Sequence, residues 1–235
     1  MHGADDDAIM DGLRSLPFML ETLAARFPAM PVRVGPSAIP ARTSPLGSQP
    51  ASDGRQRVAL AKRDPRTRGL FGAAWLLGFV AQLASTDVQA ITLMHLQGDT
   101  GLLQGEYASP VPAFFVLQAL QDAQELVPIP GLPSGVCGVR FTSATQSYEL
   151  IANLRNKPVM VSIGLTSPGT TQAWVMNEES IRAACVNPPA ASQCPSSDET
   201  EVTAPGCICV WQPVNKDANA ESLQLMPYAL LRVHT

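Results

Sequence analysis

Residues that could perform hydrolytic chemistry follow three predicted strand ends in the first half of the chain. One strand is the continuous apolar run 90–96, another is the short run 32–34, and the third would end just before residue 2. In parallel α/β folds, the groups that carry the chemistry follow the carboxyl ends of the strands. The polar residues at these three ends are His2, Asp5, Asp6, Ser37, Arg42, His95, Gln97 and Asp99.

Each of these residues also has a structural explanation. Asp5 opens a helical pattern, where acidic side chains commonly cap the helix. His95 has apolar neighbours on a strand expected to be buried, so a hydrogen-bonded core histidine fits it equally well. Arg42 in a loop fits an ordinary solvated charge, and Ser37 lacks the G-x-S-x-G pattern of a nucleophile elbow. The residue types alone leave both interpretations open.

The cysteines, histidines and glycines indicate neither a metal site nor a cofactor site. The three histidines are scattered, and the spacing Cys207-Ile-Cys209 places its thiols on opposite faces of a strand, unlike the C-x₂₋₄-C spacing of zinc sites. The glycines between residues 98 and 105 fit neither the dinucleotide pattern nor the Walker pattern. We expect no metal and no cofactor.

The element that must position the central candidates is a predicted helix between the two apolar runs. Asp64 suits an N-cap, and Pro65 suits the first helical position, where a missing N–H costs nothing. From Leu70 onward, two adjacent apolar stripes leave the helix apolar over most of its circumference, so it must be buried against several neighbours. The unalternating run 90–96 predicts a parallel strand that is covered on both faces.

Further helical patterns flank this α/β layer. An acidic start leads into a pattern that Pro17 divides in two. The second piece has one apolar face, formed by Leu16, Leu20, Leu23 and Phe27. Residues 37–63 lack periodicity, which fits either an active-face loop or a mobile surface insertion. Residues 112–126 predict another helix.

The hydrophobic period changes to two after a proline-rich boundary at residues 127–134. Short strands with turn signals between them predict a small antiparallel β-sandwich. The candidate strands cover residues 146–154, 158–163, 171–176, 207–212 and 223–233, the first two joined by a turn and the last bent at Pro227. Residues 183–205, rich in Pro, Ser and Cys, are expected to be an insertion.

The number of predicted parallel strands is too small for the helices beside them. Two strands cannot bury helices that are apolar nearly all round. We therefore infer a fold of the α/β plus all-β class. Residues 1–126 would form the last part of a larger (β/α) TIM barrel whose earlier units are absent here, and residues 135–235 would form the β-sandwich domain.

The composition describes a globular chain and excludes several classes of protein. It has 235 residues, 46% of them apolar and 15% charged, and its net charge of −4 without a basic run excludes a nucleic-acid partner. The longest apolar stretch, residues 69–81, is too short to span a membrane. Five cysteines and no visible secretory signal favour a reduced, cytoplasmic protein, although a Cys185–Cys194 disulfide is conceivable elsewhere.

Several segments resemble, in the same order, the carboxy-terminal part of the bacterial D-apionate lactonases. They are HGADD, VRVGPSAIPAR, RVALAKRDPRTRGLFGAAWLLGFV, ITLMHLQGDTGLL, LIANLRNKPVMVSI and LQLMPYALLRV. The resemblance implies a glycoside-hydrolase-like β/α barrel flanked by β-rich domains, and hydrolysis of D-apionolactone to D-apionate in sugar catabolism. The partners it implies are a small-molecule sugar lactone and either a missing N-terminal barrel portion or a second copy of the chain.

Lactone hydrolysis requires a nucleophile (usually water), a base, and donors that stabilise the oxyanion. With this resemblance, His2 or His95 would be the base, Arg42 would hold a hydroxyl or the oxyanion, and Asp5 is a further catalytic candidate. The substrate-binding candidates are Ser37, Gln97 and Asp99.

Two other functions stay open from the sequence. One is a non-catalytic remnant or accessory module that keeps the scaffold without a complete site. The other is a divergent glycoside hydrolase, which needs two carboxylates about 5–10 Å apart. The strand that ends at Val34 is followed by Gly-Pro-Ser and no acid, which counts against a glycosidase nucleophile there.

Overall fold

The structure is a computed structural model and describes residues 5–40, 47–105, 108–143, 146–162, 172–186, 210–214 and 222–234. The chain divides into two compact units, Met1–Val116 and Leu117–Thr235. This division lies before the boundary that the sequence predicts at residues 127–134. Outside the described residues lie His2, Arg42, Cys194, Cys207, Cys209 and most of the predicted insertion.

The described part of the first unit contains helices and two small sheets. Its helices are α1 (Asp6–Gly12), α2 (Ser15–Arg26) and α3 (Leu70–Leu83), and a 3₁₀ turn covers Pro65–Arg68. The division between the units falls within a further helix, α4 (Pro112–Leu120). The strands of the first unit are β1 (Val32–Ser37), β2 (Val88–Leu93), β3 (His95–Gln97), β4 (Gly101–Gln104) and β5 (Ser109–Pro110). No helix among the described residues is long and apolar enough to cross a membrane.

The predicted strand–helix–strand layer is confirmed. Strands β1 and β2 are parallel, with Val34 opposite Ile91, and α3 lies between them in the sequence. Every residue of α3 from Phe71 to Leu83 is buried except Gln82, as its apolar circumference predicts. Asp64 is an N-cap and Pro65 the first residue after it, as expected. They begin the 3₁₀ turn and not α3, because α3 itself begins only after Gly69.

The second strand of this layer is shorter and more exposed than the sequence suggests. It ends at Leu93, because Met94 takes a positive φ of 54° and breaks the extended backbone. Residues along β2 alternate between half-buried and exposed, so the prediction of a strand covered on both faces is wrong. The reason lies in the sheet, because among the described residues β2 pairs with β1 alone.

Two helix boundaries also differ from prediction. The helical pattern at the start of the chain divides at residues 13–14 and not at Pro17. Pro17 lies in the first turn of α2, where proline is tolerated. On the expected apolar face of α2, Leu20 is buried while Leu23 and Phe27 are exposed. The helix predicted over residues 112–126 ends at Leu120.

The second unit is mainly antiparallel sheet. Its strands are β6 (Glu125–Pro128), β7 (Val136–Thr142), β8 (Ser147–Asn153), β9 (Val159–Ser162), β10 (Gln172–Met176), β11 (Gln212–Pro213), β12 (Ser222–Leu225) and β13 (Leu230–His234), with helix α5 at Glu178–Val186. Strands β8, β9 and β10 confirm the predicted positions, whereas β6, β7 and α5 were not predicted. The single bent strand predicted over residues 223–233 is two strands, β12 and β13, in different sheets. Of the strand predicted over residues 207–212, only residues 210–212 are described, and β11 begins at Gln212.

Several strands that are neighbours along the chain belong to different sheets. The larger sheet has the order β11-β10-β13-β8-β7-β6, and β12 and β9 form a separate pair. The chain changes sheets between β9 and β10 and between β11 and β12. It also does so at two short connections, between β8 and β9, where the sequence predicts strands joined by a turn, and between β12 and β13. The two sheets pack through a common apolar core formed by Ile151, Val161, Ala173, Leu225, Leu231 and Val233.

A single buried amide connects both of these crossings. Asn153 is fully buried at the end of β8, and its Nδ2 donates to the carbonyl oxygens of Lys157 at 2.8 Å, Leu225 at 3.1 Å and Met226 at 3.0 Å. Its Oδ1 accepts a hydrogen bond from the backbone N–H of Arg155 at 3.0 Å. The side chain thus pairs backbone groups at the β8–β9 connection and at the end of β12 and just after it, and the Leu225 carbonyl oxygen among them is bonded in a buried position.

Replacing Asn153 should therefore destabilise the second unit strongly. We expect Asn153→Ala to lower the free energy of unfolding by about 1–3 kcal/mol, because it leaves the buried Leu225 carbonyl oxygen without this donor and removes the partner of three further backbone groups. Asn156→Ala is the matched control, since Asn156 lies exposed in the same connection and should leave stability nearly unchanged. Urea titration followed by circular dichroism measures the difference, and equal stability of the two variants would contradict the assigned role.

An aromatic and cationic stack lies on the larger sheet. The His234 ring stacks on Tyr148 with centroids 5.0 Å apart, and the Arg232 guanidinium lies 4.8 Å from the centroid of the same tyrosine ring. Burial and the positive charge of Arg232 both lower the pKa of His234 below its ordinary value. The folded state therefore binds a proton at His234 less readily than the unfolded chain does.

This difference predicts a pH dependence of stability. As the pH falls from the ordinary histidine value near 6.5 toward the lowered pKa, the unfolded chain takes up the proton first, so the folded state loses stability in that interval. His234→Phe keeps a ring on Tyr148 but cannot titrate, and it should reduce this loss. Urea titrations between about pH 5 and 8 measure it. The same slope in both proteins would show that His234 does not cause it.

Candidate active site

The carboxyl ends of β1 and β2 meet at one edge of the first unit. Ser37 is the last residue of β1, and its carbonyl oxygen accepts a hydrogen bond of 2.9 Å from the N–H of Met94, just after β2. The long segments that follow the two strands both begin here. In parallel α/β folds this is the edge where ligands bind and chemistry occurs.

The segment after β2 holds an exposed histidine in a defined orientation. Strands β3 and β4 are parallel, and His95 lies opposite Gly101. The Nδ1 atom of His95 is hydrogen-bonded to Oγ1 of Thr100, and its backbone N–H donates to the Thr100 carbonyl oxygen at 3.3 Å. His95 is exposed, so the alternative of a core histidine is wrong.

The orientation of this imidazole suits proton transfer. One ring nitrogen is held by a hydroxyl, and no described residue hydrogen-bonds to the other, Nε2. A positioned imidazole with one nitrogen open to solvent can accept a proton from an attacking water. Gln97, two residues further along β3, is exposed on the same short segment.

An ion pair joins the segment after β2 to the segment after β1. The Nε atom of Arg63 donates to Oδ2 of Asp99 at 2.9 Å, and the two side chains are 50% and 48% exposed. The hydrogen bond and the charge of Asp99 raise the pKa of Arg63. A second polar link runs nearby along the chain, where Nε2 of Gln104 lies 3.5 Å from Oγ1 of Thr67.

A buried ion network lies directly beside Arg63 in the sequence. The side chain of Arg66 is 3% exposed, and its Nε and Nη2 donate to the two carboxylate oxygens of Asp64 at 2.9 Å and 2.5 Å. Its Nη1 donates to Oδ1 of Asp6 at 3.2 Å, and Nη1 of Arg57 lies 2.8 Å from Oδ2 of the same aspartate. The network thus fastens residues 57–66 to the first turn of α1.

The charges in this network are balanced. Burial lowers the pKa of Arg66, but hydrogen bonds and charge attraction from Asp64 and Asp6 outweigh it, so the pKa is raised overall. Asp5, the residue before Asp6, caps α1 by accepting a hydrogen bond from the N–H of Ala8 at 2.9 Å. The structural explanation of Asp5 therefore agrees with its contacts.

The sequence-based candidates are only partly brought together. Four of them, Ser37, His95, Gln97 and Asp99, lie in or directly after β1 and β2 at the common edge, whereas Asp5 lies at the start of α1. Arg57, Arg63 and Arg66 were not predicted. The available signal was the density of Arg and Asp over residues 53–68, inside a long segment between a strand and a helix.

Comparison with known proteins identifies the family. Residues 1–125 match the TIM barrel domain of the D-apionate lactonases. The chain is also 36% identical over 174 residues to the D-apionate lactonase of Brucella anthropi. It belongs to the D-apionate lactonase family. The match covers 69% of this chain but 28% of the Brucella protein, so the chain spans little more than a quarter of its relative.

A solved structure agrees with this type of fold, and a second one is reported beside it. The β-porphyranase of glycoside hydrolase family 86 from Bacteroides plebeius superimposes with a TM-score of 0.53 at 9% identity, covering 94% of this chain and 37% of that one. The catalytic domain of xylanase C, of glycoside hydrolase family 30, from Talaromyces cellulolyticus gives a TM-score of 0.49 at 14% identity, covering 88% and 41%. The residues that match the family's barrel domain therefore form a TIM-barrel segment, and the β-porphyranase shares this type of fold.

The buried network predicts which arginine matters most for the stability of the first unit. We expect Arg66→Gln to lower the free energy of unfolding by about 3–5 kcal/mol, because it leaves the buried Asp64 carboxylate without its cation. The exposed Arg63 is the control, and Arg63→Gln should leave stability nearly unchanged. Urea titration compares the two variants. An equally small loss in both would mean that the buried pair contributes little.

Proposed function

We propose that this chain forms part of a hydrolase that converts D-apionolactone to D-apionate. Membership of the D-apionate lactonase family supports the substrate, and the exposed, oriented His95 at the carboxyl edge of two barrel strands supports a hydrolytic site. The second candidate base, His2, and the oxyanion-binding candidate, Arg42, belong to the same proposal. The observation that carries it is the position of His95, where TIM-barrel enzymes place catalytic groups.

The proposed reaction uses water as the nucleophile. Nε2 of His95 accepts a proton as the water oxygen bonds to the lactone carbonyl carbon, which gives a tetrahedral oxyanion. Collapse of this oxyanion breaks the ring C–O bond, and the leaving oxygen takes up the proton and becomes a hydroxyl. The acid that forms releases its remaining proton to solvent, so the product is the open-chain carboxylate. Thr100 holds the imidazole in place, while Ser37, Gln97 and Asp99 would contact the hydroxyl groups of the sugar.

The scaffold for this site is proposed in the same way. Two parallel strands do not close a barrel. We propose that further β/α units, supplied by a longer polypeptide or by a second copy of this chain, complete it. For the second unit we propose a β-sandwich, because its two sheets share one apolar core.

Lactone hydrolysis tests the proposal. The chain is assayed alone and in a chimera where it replaces the matching segment of the Brucella anthropi enzyme, with D-apionolactone and a correction for spontaneous hydrolysis. His95→Gln should lower kcat by about 10²–10⁴-fold, as expected for loss of a general base, without changing the fold. His234→Phe is the control, since His234 lies in the second unit and should leave kcat unchanged.

The remaining outcomes separate the alternatives. A chimera that folds but hydrolyses no lactone argues for a non-catalytic module. Release of sugar from a glycoside would favour a divergent glycoside hydrolase. Full lactonase activity in His95→Gln would remove His95 as the base and leave His2 as the remaining histidine candidate at the site.

A further inference from the structure

The guanidinium of Arg63 is held on one side and open on the other. Its Nε donates to Asp99, and no residue in the described part of the chain hydrogen-bonds to Nη1 or Nη2. The Arg63 side chain is 50% exposed. Two open, coplanar N–H groups match the two oxygens of a carboxylate in a bidentate pair.

We propose that Arg63 binds the carboxylate of a sugar acid at the edge formed by the ends of β1 and β2. The ligand class rests on the proposed function, because ring opening of a neutral sugar lactone produces a sugar carboxylate. Arg63 would therefore contact the product, and the carbonyl end of the substrate from which that carboxylate forms.

The backbone beneath Arg63 is anchored. The next residue, Asp64, is 5% exposed and is bound at both carboxylate oxygens by Arg66, which also reaches Asp6 in α1. The guanidinium thus extends from a fixed backbone and is oriented at its Nε by Asp99. An arginine held in this way loses less conformational entropy on binding than one in a free loop.

Arg63 is linked through Asp99 to the segment that holds the proposed base, His95. Asp99 is followed directly by Thr100, whose side chain and carbonyl oxygen both hold His95. Arg63 is therefore connected through Asp99 to the same short segment that orients the imidazole. A group that binds the carbonyl end of a lactone is needed beside a base that activates water.

The negative charge of Asp99 sets the strength expected for this site. It orients Arg63 but also repels an anion, so binding of the carboxylate should be weak and the product should leave readily. Arg55 offers an internal comparison on the same segment, because it also pairs with an aspartate, Asp53. That pair is looser, at 4.0 Å, and its side chains are 87% and 66% exposed.

Binding of D-apionate to the full chain tests the proposal without any need for turnover. Isothermal titration calorimetry is carried out on the original protein and on Arg63→Gln, Arg63→Lys and Arg55→Gln, with circular dichroism to confirm the fold. We expect Arg63→Gln to weaken D-apionate binding by about tenfold or more and Arg63→Lys to weaken it less, because lysine keeps the charge but not the fork. Arg55→Gln should bind within about twofold of the original protein.

Two further ligands show what the site recognises. The polyol obtained by reducing the carboxylate of D-apionate should bind equally to the original protein and to Arg63→Gln. Inorganic phosphate should bind more weakly than D-apionate. Failure of the original protein to bind D-apionate, equal effects of Arg63→Gln and Arg55→Gln, or phosphate binding as tight as that of D-apionate would each overturn the proposal.

The outcome of this binding measurement can be distinguished from the outcome of the lactone hydrolysis assay. Lactone hydrolysis combined with D-apionate binding that does not depend on Arg63 would overturn this inference and leave the lactonase proposal standing. If D-apionate binding depends on Arg63 but neither the chain nor the chimera hydrolyses the lactone, this inference stands and the lactonase proposal is overturned.

Discussion

The burial of one positive charge determines how the first unit is arranged. Arg66 is almost completely removed from water, and a buried guanidinium is tolerated only with carboxylates beside it. Asp64 is a local partner, but Asp6 lies in the first turn of α1, sixty residues away along the chain. The start of α1 and the turn before α3 must therefore meet. This requirement explains why residues 57–63, which lead into that turn, have a defined position although their sequence has no periodicity.

The same turn also fixes the start of α3. A Cβ atom at Gly72 would lie 2.8 Å from the carbonyl oxygen of Arg66, so the glycine permits a close approach of the helix to the turn. From there α3 is buried on nearly all sides. The charge network and the apolar helix thus depend on each other, since the turn that holds Arg66 leads directly into the helix that forms the core. A ligand site at the adjacent edge would share this rigidity, because Arg63 lies on the same anchored backbone as Asp64 and Arg66.

What could be predicted from the sequence was local or followed from one strong pattern. The circumference of α3 and the run in β2 predicted a helix, a parallel strand and the edge where Ser37 and His95 lie. The run 90–96 could not show that Met94 takes a left-handed conformation, so His95 was assigned to a buried strand although it is exposed. Arg66 was missed for a different reason. An arginine in a loop is usually solvated, and its distant partner Asp6 is visible only in three dimensions.

The second unit shows the same limit in its topology. Period-two patterns located most strands, but a short polar connection fits a hairpin and a crossing between sheets equally well. The choice depends on tertiary contacts, here those of Asn153, whose amide pairs with carbonyl groups of both connections. The contacts with Leu225 and Met226 form only when the β12–β13 connection lies beside the end of β8, so they are specific to the observed arrangement. In both units the apolar pattern predicts the elements, whereas a buried polar group, Asn153 or Arg66, links segments that are distant in the sequence.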